Sequence, residues 1–544
     1  MKGTKMFVVL ILVFTLLASM TSCGDNTASS GQQADTQQTT VKAATPEQAT
    51  AEQTITEDYG DTGGLKLPIV DEPVTLTINV QTDYTNLSDS FVAKEVLKRT
   101  GIKLDIQEWP STNTAFTEKL KITLASGKLP DILYLANRVD VNQLGMQGAF
   151  VPINKYSNDL PNFKQIFIDN KENSWVMKSY SADDNNLYWW PAYEWQRDVN
   201  HGFLYRKDIF DKNGIKEWET TEEFYQALKK LKELYPDSIP YSSKNKEAIF
   251  SDLAYGWGLR TPVYFDESAK LWKVAATQPE YMDMIDFIKK LYDEGLLDPE
   301  FLTDTQAGWT AKMTEKEKSF VTYDWIGRLE MFYAQVKDQI PEYDLRYANP
   351  IGPVANIRRL NKVDNSIGFA VANNPNKEAA LKFLDYATSP SGSKLLTMGV
   401  EGITYTKDAS GKITYPEITG KAVGIKDLEE KYGIFMMGVY TRVDKESVYF
   451  SYTDREKEAQ DKMINNNKIE QSDPILKFTR EEQDIITEVQ TSLDKSAKEF
   501  SSKYVLDKSY GQKEWNEWLS TAEKLGAKKL EEAYNNAQKR YESD

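Results

Sequence analysis

The most informative stretch for chemistry is NNLYWWPAYEWQ, residues 185–196. It holds Trp189, Trp190 and Trp195 within seven residues, and Pro191 prevents a continuous helix there. Flat indole rings clustered in a loop or at a strand edge favour a surface on which a ligand can stack. The alternative is that one or two of these rings only pack their own domain, and we expect roughly half of them to contact a ligand.

A second candidate group lies in TYDWIGRLEMF, residues 322–332. Asp324 and Trp325 are adjacent, and Arg328 follows one helical turn later, where it could reach a hydroxyl or a carboxylate. The same residues also fit a strand that runs into a core helix, with Arg328 as a solvated charge. We favour a ligand contact for Trp325.

Three further residues are candidates on weaker grounds. Trp109 ends the segment IKLDIQEW, and ligands of α/β sheets gather at the carboxyl ends of strands. Trp257 is flanked by glycines, which favours exposure. Asp131 follows a proline at the start of an apolar run, so it fits either a ligand contact or a turn held by hydrogen bonds to the backbone.

The N-terminus has the pattern of an export signal. Lys2 and Lys5 precede the apolar run MFVVLILVFTLL, and small residues follow it. A membrane span would need about 20 apolar residues, and polar residues interrupt this run. We therefore predict a signal peptide over residues 1–22.

The single cysteine, Cys23, comes directly after that signal. Met20-Thr21-Ser22-Cys23 resembles the lipobox of bacterial lipoproteins, in which the cysteine is acylated and becomes the new N-terminus, although leucine is usual at the position of Met20. A cysteine packed in a core is the alternative, but the surrounding sequence is not core-like. Residues 23–73 are predicted to be a lipid anchor and a flexible tether, because 24–64 are mostly small and polar.

The charge balance argues against a nucleic-acid partner. The chain has 66 basic and 82 acidic residues, and removal of Lys2 and Lys5 with the signal leaves 64 against 82, a formal charge of −18. Such a surface binds phosphate backbones poorly. A chain of 544 residues is long enough for two to four domains at about 150 residues each, and it can fold without disulfides.

The pattern of elements predicts an α/β fold. VTLTINVQ alternates and is rich in β-branched residues, Ser88 can cap the helix that ends at Gly101, and IKLDIQEW is the next strand. A second α/β unit begins at GFLYRKDIF, and Thr220 opens a helix with a capping-box pattern. Strands that alternate with helices in this way are typical of parallel sheets.

Five segments together carry a family resemblance. ASGKLPDILYL, YRKDIFDKNGIKEWETTEEFYQALKKLKE, IKKLYDEGLLDPEF, GFAVANNPNKEAALKFLDYATSPSG and GVEGITY occur in that order between residues 125 and 405. They resemble the extracellular solute-binding proteins of bacterial ABC importers, of the maltose-binding type and its Gram-positive lipoprotein branch. The resemblance extends from about residue 74 to residue 540.

This resemblance implies two hinged α/β lobes with a ligand cleft between them. Lobe one is expected to take residues 74–196 and 320–366, and lobe two residues 197–319 and 367–544. The chain is expected to cross near 200–205, 320–325 and 366–370. Hinge closure around a solute is the expected motion.

The resemblance also assigns candidate sites. It places the tryptophan-rich segment and Trp325 at the cleft, and Glu401 and Tyr405 of GVEGITY on a loop that faces it. Some relatives carry an EF-hand-like calcium loop where this chain has LYPDSIPYS, whose one carboxylate is Asp237. Without a D-x-D-x-D-G run, we expect no metal and no cofactor.

The function implied is capture of an extracellular solute for a membrane permease. The aromatic residues favour a carbohydrate, most simply an oligosaccharide, because aromatic planes suit the apolar faces of sugar rings. A peptide or another small solute is the alternative ligand. A surface glycosidase or a sensor without a permease is the alternative function, although no sequence motif for catalysis is present. We expect a monomer anchored through Cys23 on the outer face of the cytoplasmic membrane.

Overall fold

The computed structural model describes residues 57–134, 138–194, 198–358, 362–419, 423–434, 439–450, 452–470 and 472–543. The predicted signal peptide, Cys23 and most of the predicted tether lie outside these ranges. Within them, no helix is long and apolar enough to cross a membrane.

The strands of the described residues fall in two main sheets and three short pairs. They are β1 (Val74–Gln81), β2 (Ile102–Trp109), β3 (Ile132–Tyr134), β4 (Trp190–Tyr193), β5 (His201–Arg206), β6 (Ile239–Tyr241), β7 (Val263–Asp266), β8 (Leu271–Val274), β9 (Ser319–Trp325), β10 (Leu345–Tyr347), β11 (Ile357–Arg358), β12 (Val363–Val371), β13 (Thr406–Lys407), β14 (Ile413–Thr414) and β15 (Ile469–Glu470).

The helices of the same residues cover both sheets. They are α1 (Phe91–Thr100), α2 (Asn113–Ser126), α3 (Arg138–Met146), α4 (Pro161–Phe163), α5 (Trp175–Tyr180), α6 (Lys207–Lys212), α7 (Thr221–Leu234), α8 (Ile249–Ala254), α9 (Pro279–Asp293), α10 (Gln306–Thr314), α11 (Arg328–Val336), α12 (Lys377–Thr388), α13 (Pro390–Thr397), α14 (Ile425–Tyr432), α15 (Lys445–Phe450), α16 (Asp454–Asn465), α17 (Arg480–Leu506), α18 (Gln512–Lys524) and α19 (Ala527–Ser543).

The first sheet has the strand order β2-β1-β3-β12-β4. Strand β1 runs parallel to β2 in continuous register from Val74 opposite Ile102 to Gln81 opposite Trp109, and β3 runs parallel to β1. Strand β12 is antiparallel to both β3 and β4. The strands β1, β2, β3 and β4 therefore all end at the same edge of this sheet.

The second sheet has the order β10-β5-β9-β6. Strand β9 is antiparallel to β5, where Trp325 pairs with His201, and parallel to β6. The carboxyl ends of β6 and β9 therefore lie beside the start of β5. Since only residues 194–200 separate the end of β4 from the start of β5, these edges of the two sheets are neighbours along the chain.

Local sequence signals explain several helix boundaries. Thr220 caps α7 in a reciprocal capping box with Glu223, as predicted. Helix α1 ends at Gly101, which has a φ of 77°. Its N-cap is Ser90, not the predicted Ser88; the Ser88 hydroxyl instead accepts a hydrogen bond of 2.9 Å from the backbone N–H of Ile106.

Separate hydrophobic cores define the two lobes. Lobe one surrounds the first sheet and comprises the described parts of residues 57–194 and 362–450, whose apolar side chains form one core. Lobe two surrounds the second sheet and comprises the described parts of 198–358 and 452–543, with one core on each face of the sheet. Burial of two independent apolar interiors is what makes each lobe a compact body.

The predicted lobe boundaries need correction after residue 319. Strand β9 does not cross between lobes, because it pairs with β5 and β6 inside lobe two. Segment 320–358 therefore belongs to lobe two, and β12 with the helices up to α15 belongs to lobe one. The chain crosses between β4 and β5, between β11 and β12, and between α15 and α16.

Candidate functional site

Charged and aromatic side chains converge where β6 and β9 end, beside the first crossing. We call this group the crossover cluster; it consists of Lys244, Asn245, Trp309, Asp324, Trp325 and Arg328. Its members come from the loop after β6, from α10, from the end of β9 and from the start of α11. Strand ends place side chains on rigid supports at the edge of a sheet, which is where α/β proteins commonly bind ligands.

Asp324 is the centre of this cluster. Its carboxylate is buried, lies 2.7 Å from the Lys244 ammonium and 3.7 Å from Nε of Arg328, and accepts a 2.6 Å hydrogen bond from the N–H of Trp325. Two cations thus share one carboxylate. This carboxylate keeps both cations in place. The Lys244 and Arg328 side chains carry further N–H groups that can donate to a hydroxyl or an anion of a ligand.

Asn245 extends the polar network on the β6 side. Its side-chain amide donates to Asp252 at 2.8 Å and to the carbonyl of Tyr323 at 3.3 Å, while its Oδ1 accepts from Lys244 at 3.2 Å. Charges of both signs with amide groups between them match the mixed donor and acceptor edges of a polyhydroxylated ligand.

Trp309 forms the floor beneath the two cations. The Lys244 ammonium is 4.9 Å and the Arg328 guanidinium 5.4 Å from its ring, and its Nε1 donates to the Thr322 hydroxyl at 3.0 Å. Since Trp309 is fully buried, it fixes the cations through cation–π contacts and does not reach a ligand itself.

Trp325 is the aromatic member of the cluster that remains partly exposed. Its ring rests against Gly327, so closely that a Cβ added to that glycine would be 2.4 Å from the indole Cη2. The absence of a side chain at position 327 therefore sets the orientation of the indole. Arg328 lies 6.0 Å from the same ring.

Lobe one contributes Arg138 near the carboxyl edge of its sheet. Arg138 starts the helix that follows β3, and its guanidinium stacks 4.1 Å above the ring of Tyr180. Its Nη1 is buried without a hydrogen-bond partner among the described residues, and burial lowers the pKa of the guanidinium.

The prediction that Trp189 and Trp190 contact a ligand is wrong for this structure. Both side chains are fully buried in the core of lobe one, where Trp190 packs 4.8 Å from Phe163 and Trp189 packs 5.2 Å from Tyr180. Strand β4 is an edge strand, which accommodates Pro191, but the lobe-one helices cover its faces. Trp195 lies outside the described residues.

Trp109 and Trp257 are also core residues in this structure, contrary to prediction. Trp109 does end its strand, but Phe116 packs 5.4 Å away and the Lys119 ammonium lies 4.8 Å from its ring. Trp257 packs 5.7 Å from Phe287. Of the glycines beside Trp257, Gly256 packs against the backbone of residues 351–352, and Gly258 has a φ of +75°.

Asp131 has the turn-holding role that was one of its two predicted interpretations. Its carboxylate accepts hydrogen bonds from the N–H and hydroxyl of Thr77 at 2.7 and 2.8 Å, and from Asn374 and Asn376 at 2.8 and 3.1 Å. Burial opposes its charge, but these bonds hold the pKa below its usual range. It precedes β3, at the edge of the sheet opposite the strand ends, which favours the turn-holding interpretation over a ligand contact.

Glu401 and Tyr405 have different surroundings although they are four residues apart. Tyr405 is buried in the core of lobe one, 5.8 Å from Tyr415, and burial raises the pKa of its hydroxyl. It cannot contact a solute in this structure, which corrects the prediction. Glu401 is exposed and stays a candidate.

Sequence reasoning missed several members of the site. Lys244 and Asn245 sit in the polar run SSKNK, which has no aromatic residue and reads as an ordinary loop. The signal that could have found them is their position directly after a short β-strand. Among the described residues, no group of three or more His, Cys, Asp or Glu side chains is arranged to hold a metal ion.

Two lobes with charged and aromatic side chains where the chain crosses between them are typical of solute-binding proteins. A family model for bacterial extracellular solute-binding proteins matches residues 92–418, which is more than half of the chain, and the chain belongs to that family.

Three curated proteins are similar in sequence to this chain. The fructooligosaccharide ABC transporter substrate-binding protein FusA of Streptococcus pneumoniae is 26% identical over 44% of this chain and 47% of its own length. The polygalacturonan/rhamnogalacturonan-binding protein YtcQ of Bacillus subtilis is 26% identical over 60% and 65%. Lipoprotein LipO of Bacillus subtilis is 25% identical over 57% and 63%. Each match thus spans less than two thirds of the relative.

Solved structures match over most of the chain. The alginate-binding protein AlgQ2 without calcium ion superposes with a TM-score of 0.65 at 22% identity, covering 86% of this chain and 99% of that one. FusA in complex with kestose gives 0.62 at 18% identity, covering 86% and 99%. The predicted fold class, a two-lobed α/β solute-binding fold, is confirmed.

Proposed function

We propose that this protein captures an extracellular carbohydrate between its lobes and delivers it to the permease of an ABC importer, without altering it. The observation that carries the proposal is the crossover cluster. A partly exposed indole stands there beside a carboxylate and two cations on rigid strand ends. This combination suits the apolar faces and hydroxyl edges of sugar rings.

The comparisons support the carbohydrate class. The relatives with a named solute, FusA and YtcQ, are described as binding fructooligosaccharide and polygalacturonan or rhamnogalacturonan. AlgQ2, which shares the fold, is described as alginate-binding. We propose that Cys23 carries the lipid that anchors the mature monomer outside the cell, in keeping with the lipoprotein LipO.

A thermal-shift screen of the purified mature chain against neutral and acidic oligosaccharides tests the proposal. A bound solute should raise the melting temperature by mass action, by an amount that grows with its concentration. A screen in which peptides stabilise the protein and no saccharide does would reject the carbohydrate class. Chromatography of each stabilising saccharide after prolonged incubation should recover it intact, and cleavage would favour the glycosidase alternative.

A further inference from the structure

A cavity of about 230 Å³ lies between the two lobes, at a place separate in sequence from the crossover cluster. Lobe one contributes Lys178, at the end of α5, and Asp183 to its wall. Lobe two contributes the residues that precede α17 and the end of α19. The lining side chains that matter are Lys178, Asp183, Lys477, Phe478, Arg540 and Tyr541.

The cations of this cavity touch the opposite lobe. The Lys477 ammonium donates to the carbonyl of Ala182 at 2.9 Å and lies 3.3 Å from the Asp183 carboxylate. The Lys178 ammonium donates to the carbonyl of Tyr541 at 3.4 Å. A group bound here would therefore be contacted by both lobes at once.

The cavity has more positive than negative charge. Arg540 is paired with Glu482, one bond being 2.8 Å, and that same carboxylate accepts from the N–H of Thr479 at 2.9 Å. Among the described residues, the lining thus holds three cations and one carboxylate, Asp183, while Glu482 pairs with Arg540 from outside the lining. In the part of the chain that the structure describes, the Lys178 ammonium meets the carbonyl and the ring of Tyr541, since the Asp183 carboxylate is engaged by Lys477.

A long helix adds to this field. Thr479 is the N-cap of α17, whose 27 residues direct the positive end of the helix dipole at the cavity. The chain as a whole carries a formal charge of −16, so its general field repels anions. A preference for anions at this cavity would therefore be a local property of these residues.

Size and apolar lining limit what fits. The volume is below the roughly 300–1,000 Å³ of sites for drug-sized ligands, so one sugar-sized group fits rather than an oligomer. The rings of Phe478 and Tyr541 provide apolar walls, and the Lys178 ammonium lies 5.6 Å from the Tyr541 ring. Cations beside aromatic walls match a ring that carries a negatively charged substituent.

We propose that this interlobe cavity is a subsite for an anionic group of the captured saccharide, a carboxylate or a sulfate ester. This proposal rests on the proposed function and further specifies that the captured saccharide is negatively charged. Lys178 of lobe one and Lys477 of lobe two would both donate to the anion, so its binding would also hold the lobes together.

Isothermal titration of the mature chain tests this with matched saccharides. The probes are trigalacturonate and its methyl ester, a sulfated and an unsulfated disaccharide of one backbone, and a neutral fructotrisaccharide. We expect at least one anionic probe to bind tenfold or more tightly than its neutral partner, and to weaken between 50 and 500 mM NaCl. The two pairs distinguish a carboxylate from a sulfate.

Variants connect that preference to the cavity. In Lys178→Met/Lys477→Met the tenfold preference should fall below about threefold, because the donors are gone. Lys539→Met, an exposed lysine on the same C-terminal helix, is the matched control and should keep the preference. Equal melting temperatures of the three ligand-free proteins would show that folding is unaffected.

Asp183→Asn separates an anion subsite from a simple contact between lobes. If the cavity binds an anion, removal of a competing carboxylate should tighten the anionic probe severalfold. If the Lys477–Asp183 pair only holds the lobes together, the same change should weaken every ligand. Three results would each overturn the subsite and leave carbohydrate capture standing. They are equal affinities of the wild-type protein for anionic and neutral probes, an unchanged anionic preference in Lys178→Met/Lys477→Met, and weaker binding of the anionic probe to Asp183→Asn. If no saccharide binds at all, both proposals fail.

Discussion

Trp190 and Trp325 carry the same side chain in opposite surroundings, and alanine at each should have opposite consequences. Trp190→Ala empties a sealed site in lobe one, so we expect a loss of about 3–5 kcal/mol in the free energy of unfolding. Trp325→Ala removes a partly exposed ring, so stability should change far less, while saccharide affinity falls about tenfold or more. Urea denaturation and titration calorimetry measure the two effects.

Trp325→Phe is the control for this pair, because it keeps a flat apolar face of smaller size. It should recover most of the affinity that alanine loses. Unchanged affinity in Trp325→Ala would remove Trp325 from the site.

Lys312 is a half-buried cation whose loss should be severe. Its ammonium lies 2.8, 2.9 and 3.0 Å from the carboxylates of Asp298, Glu300 and Asp304. Burial opposes its charge, but the hydrogen bonds to these groups raise the pKa of Lys312. Lys312→Met leaves two buried carboxylates uncompensated, and we expect a loss of about 3–5 kcal/mol in the free energy of unfolding.

Lys316→Met is the matched comparison, because that ammonium lies 3.5 Å from an exposed Glu342. We expect less than about 1 kcal/mol there. Adding Asp298→Asn to Lys312→Met should restore part of the loss. Similar urea midpoints for the two lysine variants would show that Lys312 does not compensate the buried Asp298 and Asp304.

At the scale of elements, Asp385 joins α12 to the start of α4. Its buried carboxyl accepts from the N–H groups of Asn162 and Phe163, at 3.2 and 2.7 Å. Burial outweighs these bonds and raises the pKa of Asp385 to about 6. The folded state therefore keeps this proton between pH about 4 and 6 while the unfolded chain releases it. Its contribution to stability falls as pH rises through that window, by at most about 3 kcal/mol.

Asp385→Asn checks this sign. The variant should be less stable at every pH, because an amide cannot accept all of these bonds. The difference in unfolding free energy between wild type and variant should be larger at pH 4.5 than at pH 7. A difference that is constant, or larger at pH 7, would show that the hydrogen bonds outweigh burial.

Elements were predictable where local chemistry decides them. Alternation along VTLTINVQ and the capping box at Thr220 predicted β1 and the start of α7 at the observed residues. The burial of the tryptophans in and before β4 was not predictable in the same way. A tryptophan-rich segment has the same sequence whether helices cover its side chains or leave them exposed to solvent. Asp324 and Trp325 were named from the sequence as candidate ligand contacts, and that role stays a prediction; Lys244, which pairs with Asp324, comes from a distant loop that the sheet pairing brings near.

At the scale of the whole molecule, two lobes with separate hydrophobic cores, joined by three crossings, should unfold as two units. Hydrogen–deuterium exchange in low urea should give different opening free energies for β1 and β2 in lobe one than for β5 and β9 in lobe two. A saturating saccharide should protect both lobes and reduce the difference. Identical urea dependence in both lobes without ligand would contradict this picture.

The assignment of segments to lobes was the least predictable feature. The hydrophobic pattern of β9 or β12 predicts a buried strand. It does not predict which lobe contains that strand, because both lobes have sheets with buried strands. Strand β9 stays in lobe two because Val321–Trp325 pair with β5 and its other edge pairs with β6, and the chain returns to lobe one only at β12. Pairing over such sequence distances leaves no local trace in either strand.

Under the proposed function, Gly327 would allow the ligand preference to change without substitution of any residue that contacts the ligand. A methyl group there would collide with the Trp325 indole, and the ring would have to tilt. A single substitution at position 327 would therefore be expected to change which solutes bind, while the strand ends and the charged side chains around them stay the same.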